Sequence, residues 1–320
     1  MKIYSILFAL LLVGCSQKIE RTAQAPVQPI DSVEHSTYTW TKLLDSAAWR
    51  KNYNFQLVSH NDSLYVLHPD GTWVSKDGST WTKSSLQNTI HNHAFLDYVY
   101  FNRALLGLGH FKGNIEAFTF QPSIFLSENL TSWKTVSTTS NLPNRFFYHP
   151  FVFKNKIWII GGEDKQKVYA DIWNSEDGIR WTKQKDNSNI GPRSGSQIVC
   201  KNDSLFLFNN DVWTSTDGLN WTKLKDEIVR GEEIFGYTAV VYDNQIWLLG
   251  CNRNGEFSSE VLYSKDGKNW QQQRAPWLPR GGIAATVHQN KIFITGGKYG
   301  GTTNHPDFRY DNDVWIMEKK

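Results

Sequence analysis

Three arginines recur at one place in the sequence. Arg145, Arg193 and Arg280 each stand nine or ten residues ahead of a turn asparagine, namely Asn155, Asn202 and Asn290. Lys51 stands at the same distance from Asn61. A guanidinium fork grips a carboxylate through two parallel hydrogen bonds. Four cations converging from equivalent positions would therefore make a site for an acidic or polyhydroxylated ligand, such as a sugar acid. The competing reading is that each Arg ties neighbouring repeats together. At the corresponding points of two other repeats stand His91 and His93 around Asn92, and Glu232 and Glu233 ahead of Ile234. Glu232 and Glu233 are the carboxylates at these positions. His91 and His93 alternate and would share one face of a strand, but spacing marks no third ligand, so no metal and no cofactor is expected. "GPRSGS" at 191–196 lacks the strand-to-helix turn of a nucleophile elbow.

The elements that must position these residues come from a repeat. Ser-x-Asp-Gly-x-x-Trp occurs from Ser75, Ser175, Ser215 and Ser264, with a weaker copy, "SENLTSW", from Ser127. The closing Trp81, Trp133, Trp181, Trp221 and Trp270 are spaced by 52, 48, 40 and 49 residues, the length of one four-stranded propeller blade. Asp-Gly supplies a turn because Gly takes positive φ freely. An apolar–turn–apolar pair precedes each hairpin, with Asn61, Asn102, Asn155, Asn202, Asn244 and Asn290 in its turns. That second pattern has six copies. The sixth unit ends at "NDVWIMEKK" without a final strand, and "YTWTKLL" at 38–44 matches the missing piece. The expectation is an all-β, six-bladed propeller over 37–320 whose N-terminal strand closes the last blade. A ring of this kind removes exposed sheet edges and overrides the two-domain prior set by length.

The remaining segments differ in character. Lys2 and the apolar run Ile3–Val13 read as a secretory signal. Leu12-Val13-Gly14-Cys15 resembles the bacterial lipobox, which implies cleavage before Cys15 and lipidation of its sulfur. Residues 1–14 are then a lipoprotein signal peptide, and 15–36 a lipidated Cys with a flexible tether. Ser16 is not the Asp that marks inner-membrane retention in enterobacterial lipoproteins, so the resemblance points to the outer membrane, periplasmic or surface-exposed. Cys200 and Cys251 sit at non-equivalent points and are expected as free, buried thiols. The net charge of +3 gives no basic stripe for nucleic acid.

"LPRGGIAATVHQNKIFITGG" at 278–297, followed by "NDVWIM", resembles a kelch repeat, and Gly161-Gly162 closes a second good copy. The resemblance covers about 38–318 and implies the ring architecture of the galactose-oxidase central domain, while leaving function open. Neither Cys200 nor Cys251 suits that enzyme's copper site. The Ser-x-Asp-Gly turn is similar to the sialidase Asp-box but is one residue shorter, and no glycosidase chemistry follows. In a blade with strands a to d from the axis outward, the b–c and d–a connections share one face. The b–c loops are long at 107–122, 161–171, 250–260 and 296–312 and nearly absent elsewhere, and variable loops on a rigid scaffold are where binding usually lives. Loop aromatics Phe111, Phe118, Phe120, Phe257, Tyr299 and Phe308 are candidates for partner contact. The resulting reading is a monomeric, membrane-anchored module binding a small acidic or sugar ligand, or a protein. The alternative, through similarity to kelch-type sialic-acid mutarotases, is a sugar mutarotase or epimerase; the resemblance implies Glu232 or Glu233 as the catalytic group passing a proton between ring oxygen and anomeric hydroxyl, with Arg145, Arg193 and Arg280 clamping a carboxylate.

Overall fold

Two-residue turns set the architecture. Asn61-Asp62, Asn102-Arg103, Lys154-Asn155, Asn202-Asp203, Asp243-Asn244 and Gln289-Asn290 all have positive φ at both positions. That is the type I′ geometry, whose twist suits a two-residue hairpin. In the computed structural model, which describes residues 37–53, 55–84, 96–114 and 117–320, these turns join the first two strands of six four-stranded antiparallel sheets. No helix occurs among the described residues. Cys15, the 1–14 and 15–36 segments, His91 and His93 lie outside them.

Four blades use consecutive strands, beginning at Gln56–His60, Asp97–Phe101, Phe151–Phe153 and Gln197–Lys201; the fifth, beginning at Thr238–Tyr242, is interrupted between its second and third strands by the hairpin Cys251–Arg253 and Glu256–Ser258. The sixth consists of Ala284–His288, Lys291–Thr295, Val314–Lys319 and, on its outside, Tyr38–Leu44. Tyr38 pairs with Lys319, Trp40 with Met317 and Lys42 with Trp315, antiparallel. The innermost strands meet in the order first, sixth, fifth, fourth, third, second. Apolar clusters fill the seams between blades, and the cluster of Leu67, Leu105, Phe125, Leu130 and Trp133 joins the first blade to the second. The ring is therefore closed by packing all the way round.

The N-terminal strand is held by more than its ladder. Tyr38 is buried with its ring edge-on to Trp247 at 4.8 Å, and its hydroxyl donates to Asp243 at 2.7 Å. Trp40 meets Trp277 edge-to-face at 4.5 Å. Pairs of this geometry contribute about 0.5–1.5 kcal/mol each beyond area burial.

The repeated hairpin is a seam device. In its turn the Ser215 hydroxyl donates to Asp217 at 3.0 Å and accepts from the Gly218 amide at 2.9 Å. The Trp221 indole donates to the Gly218 carbonyl. The copies at Ser75, Ser175 and Ser264 repeat these bonds. Each turn then packs on the blade before it. A Cβ on Gly78 would lie 2.5 Å from Phe293, and one on Gly178 would lie 2.9 Å from Leu106. Glycine serves here for close approach as much as for φ.

Two expectations need correction. Residues 107–122 are not a loop, because the second blade extends its two middle strands as Ala104–Asn114 and Ala117–Ser127. Cys200 is exposed rather than buried, on the first strand of the fourth blade, Gln197–Lys201; Cys251 is buried, and both are free.

Candidate functional site

Each of the three arginines is spent inside its own blade. Arg145 is fully buried and meets Asp171 through two parallel bonds of 2.7 and 3.1 Å. It also donates to the carbonyls of Gly161 and Pro143, and its guanidinium lies 4.0 Å from the Tyr169 ring centre. Arg193 pairs with Asp211 at 3.2 Å and donates to the Ile190 carbonyl. Arg280 pairs with Asp313 at 2.5 and 3.2 Å. Each Asp accepts a further bond from an indole two residues on: Trp173 at 2.7 Å, Trp213 at 2.6 Å and Trp315 at 2.8 Å. Asp-(Val/Ile)-Trp is thus the mate of the repeat arginine. The backbone of the same arginine caps the blade before it: a Cβ on Gly161 would lie 2.4 Å from the Arg193 carbonyl oxygen. That contact explains the Gly-Gly pair. The geometry makes these arginines ties between and within blades; a ligand carboxylate would have to displace Asp171, Asp211 or Asp313 to reach them.

The carboxylate candidates are also committed. Glu232 meets Arg253 at 2.5 and 2.6 Å, and Arg253 also holds Glu260. Glu260 occupies the repeat position of Asp171. The fifth blade has Ile234 where its neighbours have arginine, so Arg253, from the inserted hairpin Cys251–Arg253 and Glu256–Ser258, restores the pairing. Glu233 is exposed, and its amide and carbonyl bond to Asn254. Lys51 is exposed at the entry to the first blade. No group of three or more His, Cys, Asp or Glu with metal-binding geometry occurs among the described residues.

The structure brings together a different set. The 296–312 connection of the sixth blade is stitched to the entry of the first: Gly297 N donates to Asn52 O, Asn52 N to Asp311 O, and Asn312 Nδ2 to the carbonyls of Ala47 and Trp49. This brings Tyr53 against Tyr310, stacked at 5.8 Å and 15°, and Phe308 stacks on Tyr310 at 6.2 Å and 13°. Lys298 is anchored by backbone bonds in both directions to Gly281. Its ammonium lies 5.0 Å from the Tyr53 ring centre and 5.3 Å from that of Phe308. Burial lowers the Lys298 pKa, and burial first, then the Tyr310 phenol, raises that of Tyr53.

A second group flanks the first. Phe257 and Tyr299 meet at 6.2 Å, Tyr299 and His305 at 5.0 Å, and the Arg309 guanidinium lies 4.6 Å from the Tyr299 ring centre. Glu256 accepts from Thr302 and Asn304, which ties the fifth-blade hairpin to the sixth-blade loop. Phe308 is 54% exposed. An exposed ring continuing a three-ring ladder offers a flat apolar face, and a lysine held between rings offers charge beside it. Phe257, Tyr299 and Phe308 were readable as loop aromatics. Tyr53, Lys298 and Tyr310 were missed, and the one sequence sign of them is the dense alternation of rings and cations over 298–310.

Comparison with known proteins agrees on fold. Residues 128–236 match the family described as DUF6242 beta propeller domain. The solved structure of YjhT is similar, with a TM-score of 0.67 at 14% identity, over 85% of this chain and 96% of that one. A comparison with curated proteins finds no match. With the six closed sheets, these likenesses identify the body of this chain, Thr37–Lys320, as a β-propeller.

Proposed function

We propose that the protein is a lipid-anchored, extracytoplasmic binding module that takes a small acidic carbohydrate on the loops of its fifth and sixth blades. The observation that carries this reading is the Tyr53–Tyr310–Phe308 ladder with Lys298 between its outer rings. Aromatic faces suit the apolar side of a sugar ring, and the ammonium suits a carboxylate. Anchoring rests on the run Ile3–Val13 and on Leu12-Val13-Gly14-Cys15, which resembles a lipobox. Binding is favoured over anomer exchange because both carboxylate oxygens of Glu232 are taken up by Arg253.

A screen of neutral sugars and sugar acids against residues 37–320 tests this. Binding of an acidic sugar should weaken about tenfold in Phe308→Ala, the loss of roughly 1.4 kcal/mol of ring contact. Lys298→Gln should remove the preference for acidic over neutral ligands. Full affinity in both variants would exclude this loop surface as the site.

A further inference from the structure

The edge at which the chain enters the propeller carries a second feature. Tyr38 lies beside Lys319, and its hydroxyl bonds Asp243 in the first turn of the fifth blade and accepts from Gln245. Gln245 also lines a groove of about 470 Å³ beside that blade's hairpin. Lys225, Lys265 and Lys268 line the same groove, with Tyr263 and Trp270. Asp266 is there too, but its Oδ1 accepts the amides of Lys268 and Asn269 and its Oδ2 accepts Asn269 Nδ2. Its charge is thus already turned to the backbone of its own turn.

The preceding seam shows what is missing. There the equivalent lysine, Lys185, donates to the Leu219 carbonyl at 2.6 Å and to Asn220 Oδ1 at 3.1 Å, while Asn189 donates to the Trp221 carbonyl at 2.6 Å. At the seam of the fourth and fifth blades, Lys268 replaces Leu219, and Glu227 precedes Ile228 where Asn189 precedes Ile190. Among the described residues, Lys225, Lys265 and Lys268 form no ion pair. Three cations are therefore left around one opening where a neighbouring seam is clipped shut.

We infer that this groove is a docking surface for the phosphate groups of an anionic membrane. The inference rests on the anchored reading above, and Tyr38, the first residue of the sixth blade's outer strand, lies at this same edge. One acylated residue with a basic patch anchors more firmly than either alone, and each lysine near an anionic surface contributes roughly a fivefold gain in partition, from about 1 kcal/mol.

The test uses residues 37–320, which contain every strand of the six sheets and no anchor. Co-sedimentation with phosphatidylcholine vesicles is compared with and without phosphatidylglycerol. Partition onto the anionic vesicles is expected, falling at least tenfold in the triple variant Lys225→Gln, Lys265→Gln, Lys268→Gln and retained when the same three become Arg. Lys51→Gln with Lys165→Gln and Lys167→Gln removes equal charge from the loop face and should change partition little. Equal loss in that control, or no preference for anionic vesicles, overturns the inference. So does displacement by inorganic phosphate beyond that by chloride of matched ionic strength, because the groove would then be a site for small free anions. Phe308→Ala should leave vesicle binding intact, so failure of the sugar site and failure of this surface are separable.

Discussion

Replacing Arg145 by Ala separates a tie from a ligand group. The guanidinium is wholly buried, makes two bonds to Asp171 and two to carbonyls, and lies on Tyr169. Its removal strands the Asp171 carboxylate, 10% exposed, with the Trp173 indole as its remaining side-chain donor. Breaking one side of a buried pair costs about 3–5 kcal/mol, whereas replacing both sides by apolar groups costs much less. Urea unfolding of residues 37–320 should show Arg145→Ala losing about that much, with the midpoint shifted and the slope kept. Arg145→Met with Asp171→Leu should recover most of the loss. Arg50 and Asp70 form the same fork at 3.1 and 3.1 Å but are 66% and 40% exposed; Arg50→Ala should therefore cost less than about 1 kcal/mol. If Arg145→Ala stayed within about 1 kcal/mol of the parent while sugar binding vanished, the arginine would be a ligand group and the blade-tie argument would be refuted.

Other outcomes follow from single contacts. Gly161→Ala meets the Arg193 carbonyl at 2.4 Å as well as a φ of +65°, while Gly195→Ala meets nothing within 4 Å at a φ of +69°; the second should cost about 1–2 kcal/mol and the first clearly more, read by thermal or urea unfolding. Asp77 is pulled down to about 2 by the amides of Thr80 and Ser79, and Asp266 to about 2 because the amides of Asn269 and Lys268 outweigh its burial. Carboxylates depressed on folding stabilise above the unfolded value near 4, so stability should drop as pH falls from about 4 through about 2, and Asp77→Asn with Asp266→Asn should flatten that acid limb. Burial pushes the Cys251 thiol up to about 12, whereas Cys200 is exposed. A thiol reagent should therefore modify Cys200 alone in native residues 37–320 and both cysteines once the fold is lost.

Much of the fold was legible because it is local. Two-residue turns with Asn, Asp-Gly hairpins and alternating apolar strands each fit within a short window, and their repetition fixed the blade count. Tyr38–Leu44 was recognisable as the missing strand because it copies a piece seen in other units. The site was harder because its contacts are not local. The mates of Arg145 and Arg193 lie well downstream, in Asp-Ile-Trp and Asp-Val-Trp, and nothing in the arginine spacing itself tells a tie from a clamp. The fifth blade breaks the pattern at Ile234 and repairs it with Arg253 from an insertion, so Glu232 read as a spare acid. Tyr53 and Tyr310 come from opposite ends of the body, and only ring closure stacks them. Residues 107–122 read as a loop because glycines interrupt the alternation of the strands that run through them.

The claim on which the rest stands is that Tyr38–Leu44 pairs with Val314–Lys319 to close the ring. Thr39 and Glu318 face each other in that ladder. Directly opposed antiparallel residues lie about 4.5–5.5 Å apart at Cα, within disulfide range. Thr39→Cys with Glu318→Cys, in residues 37–320 carrying Cys200→Ser, should crosslink on mild oxidation. The product is expected to run as a circular, reductant-sensitive species on a denaturing gel, while the offset pair Lys42→Cys and Glu318→Cys stays open. Free thiols in the first pair, or equal crosslinking of both, would contradict the closed propeller.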